Sequence, residues 1–326
     1  MTRDEAGGTR FANACDCHIH IYDDAYPLAP TATFRPPHAP VAAYRRMQQA
    51  LGLTRVVVVQ PTGYGFDNRC TLDALAALGP QARGVATVPV DVPEAELERL
   101  HAAGMRGVRF MMLAGGTAQW RDLERMAARI APLGWHIDLQ FDGRTLGEIE
   151  ATLSRLPARI VIDHTGKFLT PVAPDAPSFL ALRRLLDRGH AWVKLSAPYE
   201  TSRSGAPGYD DVGRLAAVLA RGHSARCVWG SNWPHPNASP PPDDARLLGW
   251  LHDCAADDAI AGAILVDNAA VLYGFHADTQ PETATSCAIA PSGNGGVKRG
   301  RGRRLEDVRA AGGEHPAGRA QRDVSG

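Results

Sequence analysis

The sequence predicts an α/β fold, a single (β/α)8 TIM barrel with a disordered C-terminal tail, and three observations carry that expectation. Short β-branched or apolar runs alternate with amphipathic helical patterns from about residue 13 to residue 276. Ionisable residues gather where those runs end, which is where a barrel of this kind holds its chemistry. No G-x-G-x-x-G or P-loop follows a run, although an open doubly wound sheet of about six strands would be expected to carry one after the first.

Taken in order, the strand candidates are ACDCHIH, RVVVVQP, ARGVATV, GVRFMML, HIDLQFD, RIVIDHT, AWVKLSA and RCVWGSN. The first is half polar. In a regular strand side chains alternate, so Asp16, His18 and His20 are expected on one face and Cys15, Cys17 and Ile19 on the other. The second holds four consecutive valines, a β-branched run. Between the runs lie helical stretches such as VAAYRRMQQALG, EAELERLHAAG, DLERMAARIAPLG and DVGRLAAVLARG. Each closes on Gly, the residue best suited to the left-handed position after a helix. Residues 1–12 read as an N-terminal arm. Residues 277–326, rich in Gly, Ser, Pro and Arg, bury too little apolar surface to offset their ordering entropy and read as a disordered tail.

Composition narrows the function. The 326 residues carry a formal net charge of +0, which argues against a surface built for nucleic acid or an anionic membrane. The basic run KRGRGRR at 298–304 reads as a solvated part of the tail. Six cysteines are scattered without a C-x-x-C pair or a dense framework and read as reduced. No segment has the apolar length of a signal peptide or a membrane span, so a cytoplasmic protein with a small-molecule partner is expected. The oligomeric state is not legible.

The strand ends supply the candidate site. His18 and His20 come from the first, Arg109 from the fourth, Asp142 from the fifth, His164 from the sixth, and Asn232 with His235 from the eighth. Lys194, Glu200 and Arg203, in or after the seventh, are further candidates. A lone histidine at a strand end is usually structural, but three converging by barrel geometry point to a site. A guanidinium in an otherwise apolar strand calls for an anion.

The H-x-H of the first strand, the DH of the sixth and WGSNWPHP after the eighth resemble the amidohydrolase superfamily. GVATV, AAGMRGVRF, PLGWH, QFDG, DHTGKF, PYETSR, PDDARL and VDNAAVLY extend the likeness and place it in the branch of 2-pyrone-4,6-dicarboxylate lactonases and D-galactarolactone isomerases, closest to the isomerases. The resemblance implies an enzyme acting on a carboxylated lactone of a sugar diacid, by isomerisation or hydrolysis, in sugar acid catabolism. Where hydrolytic members carry an Asp after the eighth strand, this chain has Asn232, an amide that takes no proton at neutral pH and lacks the charge that helps hold a metal. No metal cofactor is therefore expected; a divalent ion at His18, His20 and His164 is the alternative. The expected catalytic residues are His20 and His164, polarising the lactone carbonyl or moving its proton, and Asn232, orienting the reacting oxygen as a neutral donor. Arg109 would bind the substrate carboxylate, with His18, Asp142, Lys194, Glu200, Arg203 and His235 as further substrate contacts. Rival readings are a metal-dependent hydrolase or decarboxylase of the superfamily and a non-catalytic barrel that binds sugar acids.

Overall fold

The computed structural model describes residues 8, 9 and 11–275. They lie in the first of two compact units, residues 1–278; the expected tail and its basic run fall outside the described residues. Every expected run forms a strand: β1 Cys15–Ile19, β2 Arg55–Val59, β3 Ala82–Ala86, β4 Met105–Met111, β5 His136–Gln140, β6 Arg159–Ile162, β7 Ala191–Ser196 and β8 Cys227–Gly230. They pair in parallel, in sequence order. Closure comes from the segment after β8, where Asn232 N donates to His18 O at 2.9 Å and His20 N to Trp233 O at 2.8 Å.

A helix follows each strand: α1 Val41–Ala50, α2 Arg69–Leu78, α3 Glu94–Ala102, α4 Leu123–Ile130, α5 Leu146–Leu153, α6 Pro177–Asp187, α7 Asp210–Gly222 and α8 Asp244–Ala255. The helical period decides what each buries. In α4, Leu123, Met126, Ala127 and Ile130 are buried, a stripe at the spacing that keeps one face on the strands. Each large apolar side chain so covered contributes roughly 1.5–3 kcal/mol.

The valines of β2 divide by parity. Val56 and Val58 join the layer between strands and helices, whereas Val57 and Val59 join a separate cluster with Cys15, Cys17, Val85, Val161 and Trp192. After α9 Asp258–Gly262, α10 Asn268–Tyr273 closes that second cluster through Ala269, Leu272 and Tyr273, with Phe275 just beyond it. The Tyr273 ring meets His136 edge-on at 5.3 Å, and Arg55 and Arg83 lie over the Phe275 ring at 5.2 and 4.6 Å. The N-terminal end of the barrel is thus plugged, and the strands' other ends are left for a site. No described helix is long and apolar enough to cross a membrane.

Candidate active site

β1 departs from the regular alternation expected of it. Asp16 pairs with Val56 and Ile19 with Val58, so three steps of β1 oppose two of β2 and one residue is extra. This bulge re-phases the strand. Cys15 and Cys17 face the plugged interior and Ile19 the helix layer, while His18 turns inward with His20. Asp16 leaves the histidine face: its carboxylate accepts from Ser231 N at 2.9 Å, Ser231 Oγ at 2.6 Å and His18 N at 3.3 Å, tying β1 to the loop after β8. Gly230 makes the close approach possible, since a Cβ there would stand 2.6 Å from the His18 Cβ.

Beneath the histidines lies a buried ionic layer. Lys194 Nζ is 2.6 Å from Asp138 Oδ2, 3.1 Å from Asp163 Oδ1 and 3.0 Å from His18 Nδ1. Burial would discharge this lysine, but the two carboxylates outweigh it and hold its pKa above the ordinary value. Burial also works against Asp163, yet the Lys194 ammonium keeps that carboxyl well below its usual range. Asp138, buried and facing the Asp163 charge, is pushed up to about 7. His18 and His20 place their Nε2 atoms 3.3 Å apart, and His20 Nδ1 is 2.8 Å from Val59 O. Burial holds both rings neutral, His18 down to about 3 and His20 well below the histidine value.

Above this layer opens a cavity of about 100 Å³ lined by Tyr22, Thr62, Arg109, Gln140, His20, His164, Glu200 and Asn232, with Thr33 and Phe34 among the residues of the wall. Arg109 donates to Gln60 O at 3.0 Å and to Gln140 Oε1 at 2.7 Å, while its Nε is buried without a partner. Among the described residues no carboxylate pairs with it. A buried guanidinium held only by neutral acceptors is an anion receptor. The contact also fixes Gln140: its Oε1 must face the donor Arg109, so its amide N–H groups are left for the cavity.

Asn232 is fixed in the opposite sense. Its Nδ2 donates to Tyr199 Oη at 2.9 Å and to Glu200 Oε1 at 3.1 Å, and the carboxylate can only accept. Both amide protons are spent, and Oδ1 remains for the cavity. The expected neutral donor is therefore an acceptor. Supports continue on both sides: Lys167 pairs with Glu200, and His235 bridges Tyr199 Oη and Asp244 Oδ1 at 2.9 Å each. Burial draws Lys167 down to about 8. His164 sets Nδ1 2.9 Å from Ser196 Oγ, and burial holds its ring neutral, well below the histidine range. The loops that present these groups are strained, with His164, Thr165, Lys167, Ala197, Asn232 and His235 all at positive φ. Such backbone costs of order 1–3 kcal/mol per residue and gathers at functional sites.

The structure thus brings His20, His164, Asn232, Arg109 and Glu200 to one cavity, with His18, Lys194 and His235 behind its wall. It does not bring Asp142 or Arg203 there. Asp142 caps the turn that follows it and pairs with Arg144 at 2.6 Å, because the Gly143 turn folds its side chain back on the local backbone. Arg203 is exposed and donates to Thr170 Oγ1 at 3.3 Å, while its backbone N–H binds Asp211 at 2.7 Å. Gln140, Asp138, Asp163, Lys167 and Tyr199 were not singled out by sequence. Parity offered a signal for the first two, since Gln140 and Asp138 alternate on β5 with His136 on one face.

The donor set is a poor fit for a divalent ion. His18, Asp163 and His164 bring ligand atoms within 4.8 Å of one another. Two of the three already share the Lys194 ammonium, and the residue that reaches the cavity after β8 is an amide, Asn232, whose nitrogen is engaged.

Comparison with known proteins gives this arrangement its relatives. The amidohydrolase family profile matches residues 15–275. A D-galactarolactone isomerase of Agrobacterium fabrum is 37% identical over 269 residues, 80% of this chain and 90% of that protein. A 2-pyrone-4,6-dicarboxylate hydrolase of Comamonas testosteroni is 36% identical over 276 residues, 80% of this chain and 90% of that protein. The apo crystal structure of an Agrobacterium tumefaciens protein matches with TM-score 0.78 at 35% identity, covering 81% of this chain and 96% of that one.

Proposed function

The chain belongs to the amidohydrolase family, and we propose that it isomerises a carboxylated sugar lactone by internal acyl transfer, without a divalent metal. The substrate class is the 1,5-lactone of a hexaric acid such as D-galactaric acid, and the product its 1,4-lactone. The orientation of the Asn232 amide carries this reading: an acceptor oxygen facing the cavity holds a substrate hydroxyl without removing its proton.

In the derived step, O4 of the sugar attacks C1 of the lactone, the C1–O4 bond forms and the C1–O5 bond breaks. Arg109 holds the substrate carboxylate, which the guanidinium's missing acid partner leaves room for. Gln140 N–H groups polarise the lactone carbonyl and receive the developing oxyanion. Asn232 Oδ1 accepts from the O4 hydroxyl and fixes its approach. His164, neutral and lining the cavity, takes the proton from O4 and returns it to O5 on the neighbouring carbon. The low basicity of His164 makes its protonated form a strong acid toward the departing O5.

Hydrolysis is the second reading, since the same neutral His164 can accept a proton from water as well as from a hydroxyl. An NMR time course of chelator-treated protein with D-galactaro-1,5-lactone separates the two. The 1,4-lactone accumulating above the buffer rate supports isomerisation, and the open diacid supports hydrolysis; activity that returns only with added zinc overturns the metal-free reading. The described cysteines are all free and buried, which supports a reducing, cytoplasmic setting for such sugar acid chemistry.

A further inference from the structure

We propose that Lys194 is a positioning residue that fixes the proton inventory of the paired histidines, making His18 a donor to His20 and leaving proton transfer in the cavity to His164. The argument starts from His20. Its Nδ1 lies 2.8 Å from Val59 O, a carbonyl that can only accept, so the proton sits on Nδ1 and Nε2 carries a lone pair. That lone pair faces His18 Nε2 at 3.3 Å. Two neutral imidazoles satisfy this contact only if His18 carries its proton on Nε2.

His18 Nδ1 must then accept, and the group that donates is Lys194 Nζ at 3.0 Å. Asp163 Oδ1 lies farther from the same nitrogen, at 3.4 Å, and would demand the other tautomer. The ammonium hydrogen-bonds His18 Nδ1 and Asp138 Oδ2 and stands in ion-pair contact with Asp163 Oδ1, so its three donors are directed at three acceptors and none is left to protonate His18 in the other sense. Two consequences follow. His20 has its single lone pair occupied and cannot serve as a base. The H-x-H pair also cannot chelate, because one of its two facing nitrogens is an N–H.

The inference rests on the proposed isomerisation only for its kinetic readout; the tautomers are a property of the resting protein. Nitrogen-15 NMR of the full chain reads them directly. The expected spectrum has His18 protonated on Nε2 and bare on Nδ1, and His20 the reverse. His18 protonated on Nδ1 overturns the proposal. The charge-balanced variant Lys194→Met with Asp138→Asn tests the cause. Asp163 then recruits His18 Nδ1–H, two lone pairs face each other, and one equivalent of zinc binds at least about a hundredfold tighter than to the parent protein, measured by calorimetry. The kcat falls about tenfold with KM little changed, as expected when orientation but not substrate binding is disturbed. An unchanged His18 tautomer in this variant contradicts the role given to Lys194, and if the variant does not fold the spectrum of the parent protein decides alone.

Discussion

Cys17 and His18 are neighbours on one strand, and between them the barrel interior changes character. On the Cys17 side, Val57, Val85, Val161, Trp192 and Tyr273 pack into an apolar plug covered by α10. On the His18 side, Arg109 of β4, Gln140 of β5, Asp163 just after β6 and Lys194 of β7 turn inward, and every one is buried. The apolar end contributes stability through area removed from water. The polar end is costly to bury: its charges pair across the Lys194 layer, while Arg109 Nε and oxygens of Asp138 and Asp163 stay without a hydrogen-bond partner. The bulge in β1 marks the crossing.

If the two ends divide labour in this way, damage to one should leave the other's readout intact. The largest effect is expected for His164→Asn, which removes the proton carrier: kcat falls about 10²–10⁴-fold while the melting temperature stays close to that of the parent. A parallel loss of melting temperature would assign His164 to the scaffold. At the opposite end, Tyr273→Ala opens a cavity under a fully buried ring and should cost about 3–5 kcal/mol in urea unfolding. Its kcat/KM at 25 °C should remain within about twofold, since no apolar plug residue touches the cavity. Arg109→Met should raise KM about 10–100-fold, the worth of one or two charge-assisted hydrogen bonds, with a smaller change in kcat. A fall in kcat alone would move Arg109 from the carboxylate to the reacting carbonyl.

The smallest effect is in pH. An ordinary histidine base titrates near 6.5, but burial holds His164 well below that value. The neutral form is the working form, so lowering the pKa moves the acid limb of the profile to lower pH. The rate should hold steady as pH drops through about 6.5, where an unperturbed histidine would have lost about half its activity. A half-loss at that pH would show His164 open to solvent.

The fold was legible because its signals are local. Four valines in a row read as a strand covered on both sides, and Gly52, Gly104 and Gly134 take positive φ just past α1, α3 and α4, whereas Gly222 is still the last helical residue of α7. Arg109, His164 and Asn232 were legible for the same reason, as polar groups where apolar runs stop. What sequence did not yield depends on partners far along the chain. The β1 bulge lies where Gly230 of β8 comes close against His18, and no parity rule contains that. Asn232 reads as a donor in isolation and becomes an acceptor only once Tyr199 and Glu200 claim its N–H groups. Asp142 is the converse: it stands at a strand end beside a glycine, and Arg144, two residues on, draws it away.

The central claim is that the cavity hands the lactone carbonyl to a hydroxyl of the substrate itself and not to water. Turnover of D-galactaro-1,5-lactone by the chelator-treated protein in oxygen-18 water, followed by mass spectrometry, tests it most directly. The account predicts a 1,4-lactone free of the heavy isotope, with open diacid forming no faster than in buffer. Heavy oxygen entering the diacid at the enzyme's own rate would contradict it.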